Sequence, residues 1–218
     1  IPFPDPVDMF FVCSGFLIGY NFLIEIHKTE KIDAKFIFRF LIMRWGRTLP
    51  AYFIMLILLT VIVSLVTKKV DIPYSNFFFL QNFVNNQSDF YKETWTISVE
   101  EWFYVLFPLG FMFGLKFIKS SKDKSFLAII LFMLLGSLSL KVFYYFFVFT
   151  KHTFVDFVSH YRLIVVLRLD TIAIGLLAAY ICYHYENFWF KYRYKFLVVG
   201  VAIYLFSTFY SWAWSNQM

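Results

Sequence analysis

Apolar residues run along this chain in long unbroken stretches, without the two-residue alternation of a half-buried strand, and the breaks between them hold nearly all the charge. Residues 9–26, 49–67, 96–116, 126–150, 162–182 and 196–213 each approach the roughly 17 to 25 apolar residues that a helix rising 1.5 Å per residue needs to cross a hydrocarbon core about 30 Å thick. They predict six transmembrane helices. A membrane barrel would alternate lipid-facing and lumen-facing positions, and these runs do not. The shorter stretch FIFRFLIMRWGR (36–47) mixes arginines with apolar residues and reads as an amphipathic helix lying in the interface, ahead of a second span that has Pro50 in its first turn. No internal repeat, Gly/Ser linker or low-complexity tract divides the chain. Residues 1–218 therefore read as one domain, an all-α polytopic transmembrane bundle.

Composition strengthens this picture. Of 218 residues, 61% are hydrophobic, 24% aromatic and only 16% charged, well outside the range of soluble domains. The expectation is a multi-pass integral protein of the cell membrane, in contact with membrane lipid. A net charge of +6 invites a nucleic-acid reading, but no basic tail, RNA-binding signature or zinc spacing accompanies it. The cations report orientation instead. Loops 27–48, 117–125 and 183–195, with Lys116 at the edge of the second, hold thirteen of the 20 Lys and Arg residues, which places them in the cytoplasm and both chain ends outside. Two outward ends suggest a chain that lacks a preceding span, in keeping with an opening IPFPDPVDMF that is neither a signal peptide nor an obvious start. Cys13 and Cys182 lie within apolar runs and fit buried small hydrophobes, with no disulfide framework or metal spacing.

Charge inside a span costs at least about 2.5–3.5 kcal/mol on insertion scales and needs a partner, a cavity or a function. Glu100, Lys141, Arg168 and Asp170 qualify. Helical rise puts Glu100 about 7 Å below the outer surface, Arg168 about 9 Å deep, and Lys141 and Asp170 about 12–14 Å deep. These depths suggest Asp170–Lys141 and Arg168–Glu100 pairs, which would serve chemistry or clamp the helices. Glu101 points about 100° away from Glu100, so the two are not a matched acid/base pair, and Glu101 reads as an interfacial residue near the headgroups. Arg44 and Arg47 lie one turn apart toward the cytoplasm. They fit either a forked grip on phosphate or an orientation signal bound to lipid headgroups. Ser14-Gly15 in the first span reads as a small pair that lets two helices approach closely. His27, His152, His160 and His184 fall in loops or at span ends; His152 and His160 share the outer side with Glu100, where either could act as a base.

Four stretches, VDMFFVCSGFLI (7–18), RWGRTLPAY (44–52), WTISVEEWFYVLFP (95–108) and RLDTIAIG (168–175), together resemble the acyltransferase 3 family of multi-pass membrane proteins. The resemblance implies a bundle of about ten spans, of which six are present here. It implies transfer of an acyl group, commonly acetyl, from a cytoplasmic donor such as acyl-CoA to a hydroxyl on an extracytoplasmic glycan, with no bound cofactor or metal. By resemblance, Arg44 and Arg47 bind the donor, and Glu100, Arg168 and Asp170 belong to the catalytic site. The family's general-base histidine lies on the span before VDMFFVCSGFLI, and so is expected upstream of Ile1. Two other classes remain open. A transporter or flippase of a glycan or lipid-linked intermediate predicts inverted repeats or interrupted helices. A structural membrane partner predicts no cavity running between Arg44 and Glu100.

Overall fold

The computed structural model describes residues 6–68, 74–83, 94–117, 121–148 and 163–215, with side chains through residue 210. The described chain is all helical: α1 (Pro6–Lys28), α2 (Ala34–Thr67), α3 (Tyr74–Phe77), α4 (Trp95–Phe117), α5 (Lys122–Phe143), α6 (Leu169–His184) and α7 (Glu186–Ser215). A π-helical turn, Tyr144–Val148, extends α5, and a 3-10 turn, Val165–Leu167, precedes α6. Among the described residues three helices are long and apolar enough to cross a membrane: α1, α2, and α5 with its extension to Phe147. The helix starts are local and readable. Asp33 accepts the Phe36 N–H at 2.9 Å to open α2, and Ser121 accepts the Lys124 N–H at 3.4 Å to open α5.

Three boundaries differ from the pattern reading. The expected interfacial helix and second span are one helix, α2, with Pro50 in its interior. Pro50 has no N–H to offer the Gly46 carbonyl, so α2 gives up one ladder bond there and yet continues as one helix to Thr67. The expected span 162–182 begins as a helix only at Leu169, because the extended Ile164 and the 3-10 turn occupy its first positions. The loop expected at 183–195 shrinks to Tyr185 between α6 and α7. Its cations lie along helical turns over aromatic rings, with Arg193 4.8 Å from the Tyr194 centroid and Lys195 5.4 Å from that of Tyr192.

The chain forms two compact units, residues 29–170 and residues 1–28 with 171–218. In the second of these, α1 and α6 meet through glycine. A Cβ on Gly15 would run into the Ile172 carbonyl, and one on Gly175 into the Val12 carbonyl oxygen, so the two backbones touch. This is the close contact that Ser14-Gly15 suggests. Gly19 continues the seam against Leu176 and Ala179.

In the unit formed by residues 29–170, α4 packs on α5 through Gly110 against Ile129 and through an edge-to-face contact of Phe107 and Phe126 at 5.7 Å. The 3-10 turn packs on both helices. Lys122 Nζ donates to the Thr29 carbonyl at 2.7 Å, joining two segments that the charge count assigns to one membrane face. Residues 74–83 fold back beside α2 and α4 instead of forming a solvated outer loop. The Tyr52 hydroxyl donates to the Asn76 carbonyl at 2.7 Å, the Trp102 indole to the Phe79 carbonyl at 3.0 Å, and Asn82 Nδ2 to the Trp95 carbonyl at 3.3 Å. Such irregular backbone is stable among apolar helices only when protein groups satisfy it.

Candidate functional site

The seam between α2 and α4 gathers most of the sequence-predicted site. Thr48 follows Arg44 and Trp45 by four and three positions and precedes Tyr52 by four, so these residues share one face of α2, turned toward α4. Thr48 is the fifteenth residue of the 34 in α2, and its hydroxyl meets Glu101 Oε1 at 2.8 Å. The same hydroxyl lies 3.3 Å from the Arg44 carbonyl oxygen, tying the arginine-bearing turn to α4 through one side chain. Glu101 is 4% exposed, so the interfacial reading of this residue is wrong: the α2 face, which a single helix cannot reveal, covers it. Glu100 is half-buried one position earlier. Tyr104, 6% exposed, has both Glu100 and Glu101 and both Arg44 and Arg47 within electrostatic reach.

This grouping corrects the depth estimate. Helical rise sets Glu100 near the outer surface, and the count of cations sets the arginines toward the opposite one. The N-terminal turns of α4 instead lie beside the middle of α2, held there by residues 74–83. Acids and guanidiniums therefore share one neighbourhood, midway along α2. A cavity of about 270 Å³ adjoins it, lined by Trp45, Leu49, Phe78, Phe79, Trp102 and Val105, with Glu101 its one charged wall residue. The residues that line it are the neighbours of Arg44 and Glu100, not those two themselves.

Asp170 and Lys141 form the expected ion pair, through Asp170 Oδ2, with both side chains about a quarter exposed. Their helical positions suit the pair. Asp170 lies in the first turn of α6, where the backbone dipole favours its charge, and Lys141 in the last α-helical turn of α5, ahead of the π-helical extension. Arg168 is 8% exposed and lies before α6, directly after the 3-10 turn that packs on α4 and α5. Neither Arg168 nor Asp170 is deep within a helical span, because α6 starts between them. His152 and His160 lie outside the described residues.

Sequence reasoning missed three contributors: Glu101, Gln81 and Asn82. Gln81 Nε2 donates to Ser98 Oγ at 2.5 Å and to Thr94 Oγ1 at 3.2 Å, and Asn82 Nδ2 to the Leu163 carbonyl at 2.5 Å. The signal was present as a stripe. Thr94, Ser98 and Glu101 recur at helical spacing on one face of an otherwise aromatic helix, and such a stripe asks for polar partners.

No solved structure matches this chain. Over 132 residues it is 26% identical to the peptidoglycan O-acetyltransferase OatA of Listeria monocytogenes, a match covering 53% of this chain and 21% of that protein. Over 122 residues it is 30% identical to the O-acetyltransferase OatA of Staphylococcus aureus, covering 49% of this chain and 20% of the relative. The chain thus aligns with about a fifth of the length of these curated relatives. The wider correspondence is with a family model described as an acyltransferase domain, which matches residues 7–218, and on that match this chain belongs to the acyltransferase 3 family.

Proposed function

We propose that this protein is a membrane O-acyltransferase, part of a bundle of about ten spans, that moves an acyl group, acetyl in the first instance, from a cytoplasmic acyl-CoA-type donor to a hydroxyl of an extracytoplasmic glycan. Peptidoglycan, named for the Listeria relative, is the acceptor class to test first. The observation that carries the reading is that two guanidiniums and two carboxylates lie within electrostatic reach of Tyr104, beside the middle of a membrane-length helix, in a chain of this family. Transfer between compartments needs groups for the anionic donor and groups for the acceptor hydroxyl within reach of one another.

In this reading Arg44 and Arg47 hold the donor's phosphates through forked hydrogen bonds. A base removes the proton of the acceptor hydroxyl, whose oxygen attacks the thioester carbonyl. The tetrahedral oxyanion collapses with loss of the thiolate, which takes up a proton. Glu100 orients the base or the acceptor. Arg168 stabilises the oxyanion in a water-poor site, where such donors are most effective. Asp170, bound to Lys141, sets the start of α6 directly after Arg168 and so positions it.

The test is Glu100→Gln in the full chain, reconstituted with labelled acetyl-CoA and glycan. Loss of about a hundredfold or more in label transfer is expected, within the range ascribed to acid–base groups. Unchanged transfer removes Glu100 from the mechanism. Movement of glycan across the bilayer without any transfer of label would replace the reading with a transporter.

A further inference from the structure

Asn82 is 2% exposed in a stretch of chain that belongs to no helix, and it bonds in two directions at once. Toward α4, its Nδ2 donates to the carbonyl of Trp95, the first residue of the helix that carries Glu100. Toward the segment ahead of α6, the same Nδ2 donates to the Leu163 carbonyl at 2.5 Å, and the Asn82 backbone carbonyl accepts the Val165 N–H at 3.0 Å. Arg168 follows at once, its own N–H closing the 3-10 turn on the Val165 carbonyl at 3.0 Å. Glu100 and Arg168 are far apart in sequence, and Asn82 is bonded to the backbone of both their segments.

The carboxamide suits this place, because two protons on one nitrogen can serve two carbonyls. Serine has one such proton, and aspartate would set acceptor oxygens against both carbonyls. Gln81 keeps the stretch from sliding along α4, since its Nε2 donates to Ser98 Oγ and Thr94 Oγ1 in the first turns of that helix. From the other side, the Ser137 hydroxyl donates to the Val166 carbonyl at 3.0 Å and holds the same 3-10 turn on α5. The backbone that delivers Arg168 is therefore set against α4 by side-chain bonds instead of by a continuous helix.

We propose that Asn82 is a positioning residue for acyl transfer: by bonding the start of α4 and the turn that ends at Arg168, it fixes the level of Arg168 relative to Glu100. The proposal rests on the acyltransferase reading above, with Glu100 and Arg168 in the roles given there, and adds the group that holds them in register. Asn82 acts through Arg168, and no bond to it forms or breaks.

The test is a double-variant cycle on turnover. With the full chain in lipid nanodiscs, labelled acetyl-CoA and a soluble peptidoglycan fragment, kcat and KM are measured for Asn82→Ala, Arg168→Ala and the two combined. Arg168→Ala is expected to lower kcat about a hundredfold, the loss of one oxyanion donor. Asn82→Ala is expected to lower kcat about thirtyfold, within the roughly hundredfold that a misplacement of about 1 Å can bring, and to leave the acetyl-CoA KM within about twofold because the donor arginines are on α2. Once the guanidinium is gone Asn82 has nothing left to position, so the double variant is expected to match Arg168→Ala within about threefold. Losses that multiply to about three-thousandfold overturn the positioning role and leave the acyltransferase reading standing, as does an Asn82→Ala kcat within about twofold of the unsubstituted chain. Asn82→Ser, which keeps a single donor, enters the same cycle if Asn82→Ala does not fold. Unchanged transfer by Arg168→Ala overturns the role of Arg168 and this proposal with it, and absence of transfer by the unsubstituted chain overturns the reading as well.

Discussion

Two helix pairs in this chain are joined by opposite means. Between α1 and α6 the centre of the contact is glycine against backbone, with Gly15 and Gly175 each lying where the facing carbonyl leaves no room for a methyl group, and aromatic rings of Tyr20, His27, Tyr183 and His184 meet beyond it. Between α2 and α4 the contact is made by large and polar side chains: Trp45, Thr48 and Tyr52 on one helix, Glu101 and Trp102 on the other, with residues 74–83 bonded to both. In a membrane, where lipid competes with any apolar surface, close backbone approach alone can hold helices together. The difference teaches that the α2–α4 seam brings charged and hydrogen-bonding groups together while it joins the helices.

Substitutions can break that contrast, and the largest effect is expected where no side chain can move aside. Gly175→Val drives a branched side chain into the Val12 carbonyl and the Phe16 N–H; destabilisation of about 3 kcal/mol is expected in reversible unfolding from mixed micelles. A loss under about 1 kcal/mol would show that the α1–α6 seam is not backbone-tight. Lys141→Met should cost about 2–3 kcal/mol, discounted from the fully buried case because the pair is about a quarter exposed, and adding Asp170→Leu should restore most of it. Failure of the double variant to recover would mean that Asp170 has a further role at the start of α6. Thr48→Val strips Glu101 Oε1 of its donor and is expected to cost about 1–2 kcal/mol by the same measurement; a neutral result would mean that the clasp does not hold α2 to α4. The smallest change should be Gly136→Ala. Nothing lies within 4 Å of its new methyl on α5, so a gain of about 0.5–1 kcal/mol from helix propensity is expected, and a loss there would remove the distinction between packed and unpacked glycines.

Legibility followed the range of the forces involved. Each long helix is driven by its own apolar run, so α1 and α4 could be read almost to their ends. The Lys141–Asp170 pair was legible for an energetic reason, since two isolated charges in apolar surroundings at matching depth have few alternatives to each other. What escaped depended on neighbours. Whether Glu101 faces headgroups or α2 is decided by where α2 lies, and a helical wheel carries no information on that. Residues 74–83 carry too few apolar positions to read as a span, yet Asn76, Gln81 and Asn82 supply the polar contacts that place the start of α4 beside the middle of α2. Pro50 misled in the other direction, because a residue that ends most helices lies here inside one. The one-turn spacing of Arg44 and Arg47 is legible in the sequence, but their company with Glu100 and Glu101 is a tertiary fact.

The continuity of α2 has a mechanical consequence. Its 34 residues make a rod about 51 Å long, well beyond a hydrocarbon slab of about 30 Å, so the helix must lean or project. The guanidiniums ride on the same helix as the half beyond Tyr52, where Ile57, Leu58, Val61 and Ile62 face outward, with Pro50 between the two parts. A thicker or thinner host bilayer would change the lean of α2 and with it the height of Arg44, making membrane thickness a setting of this site as well as its surroundings.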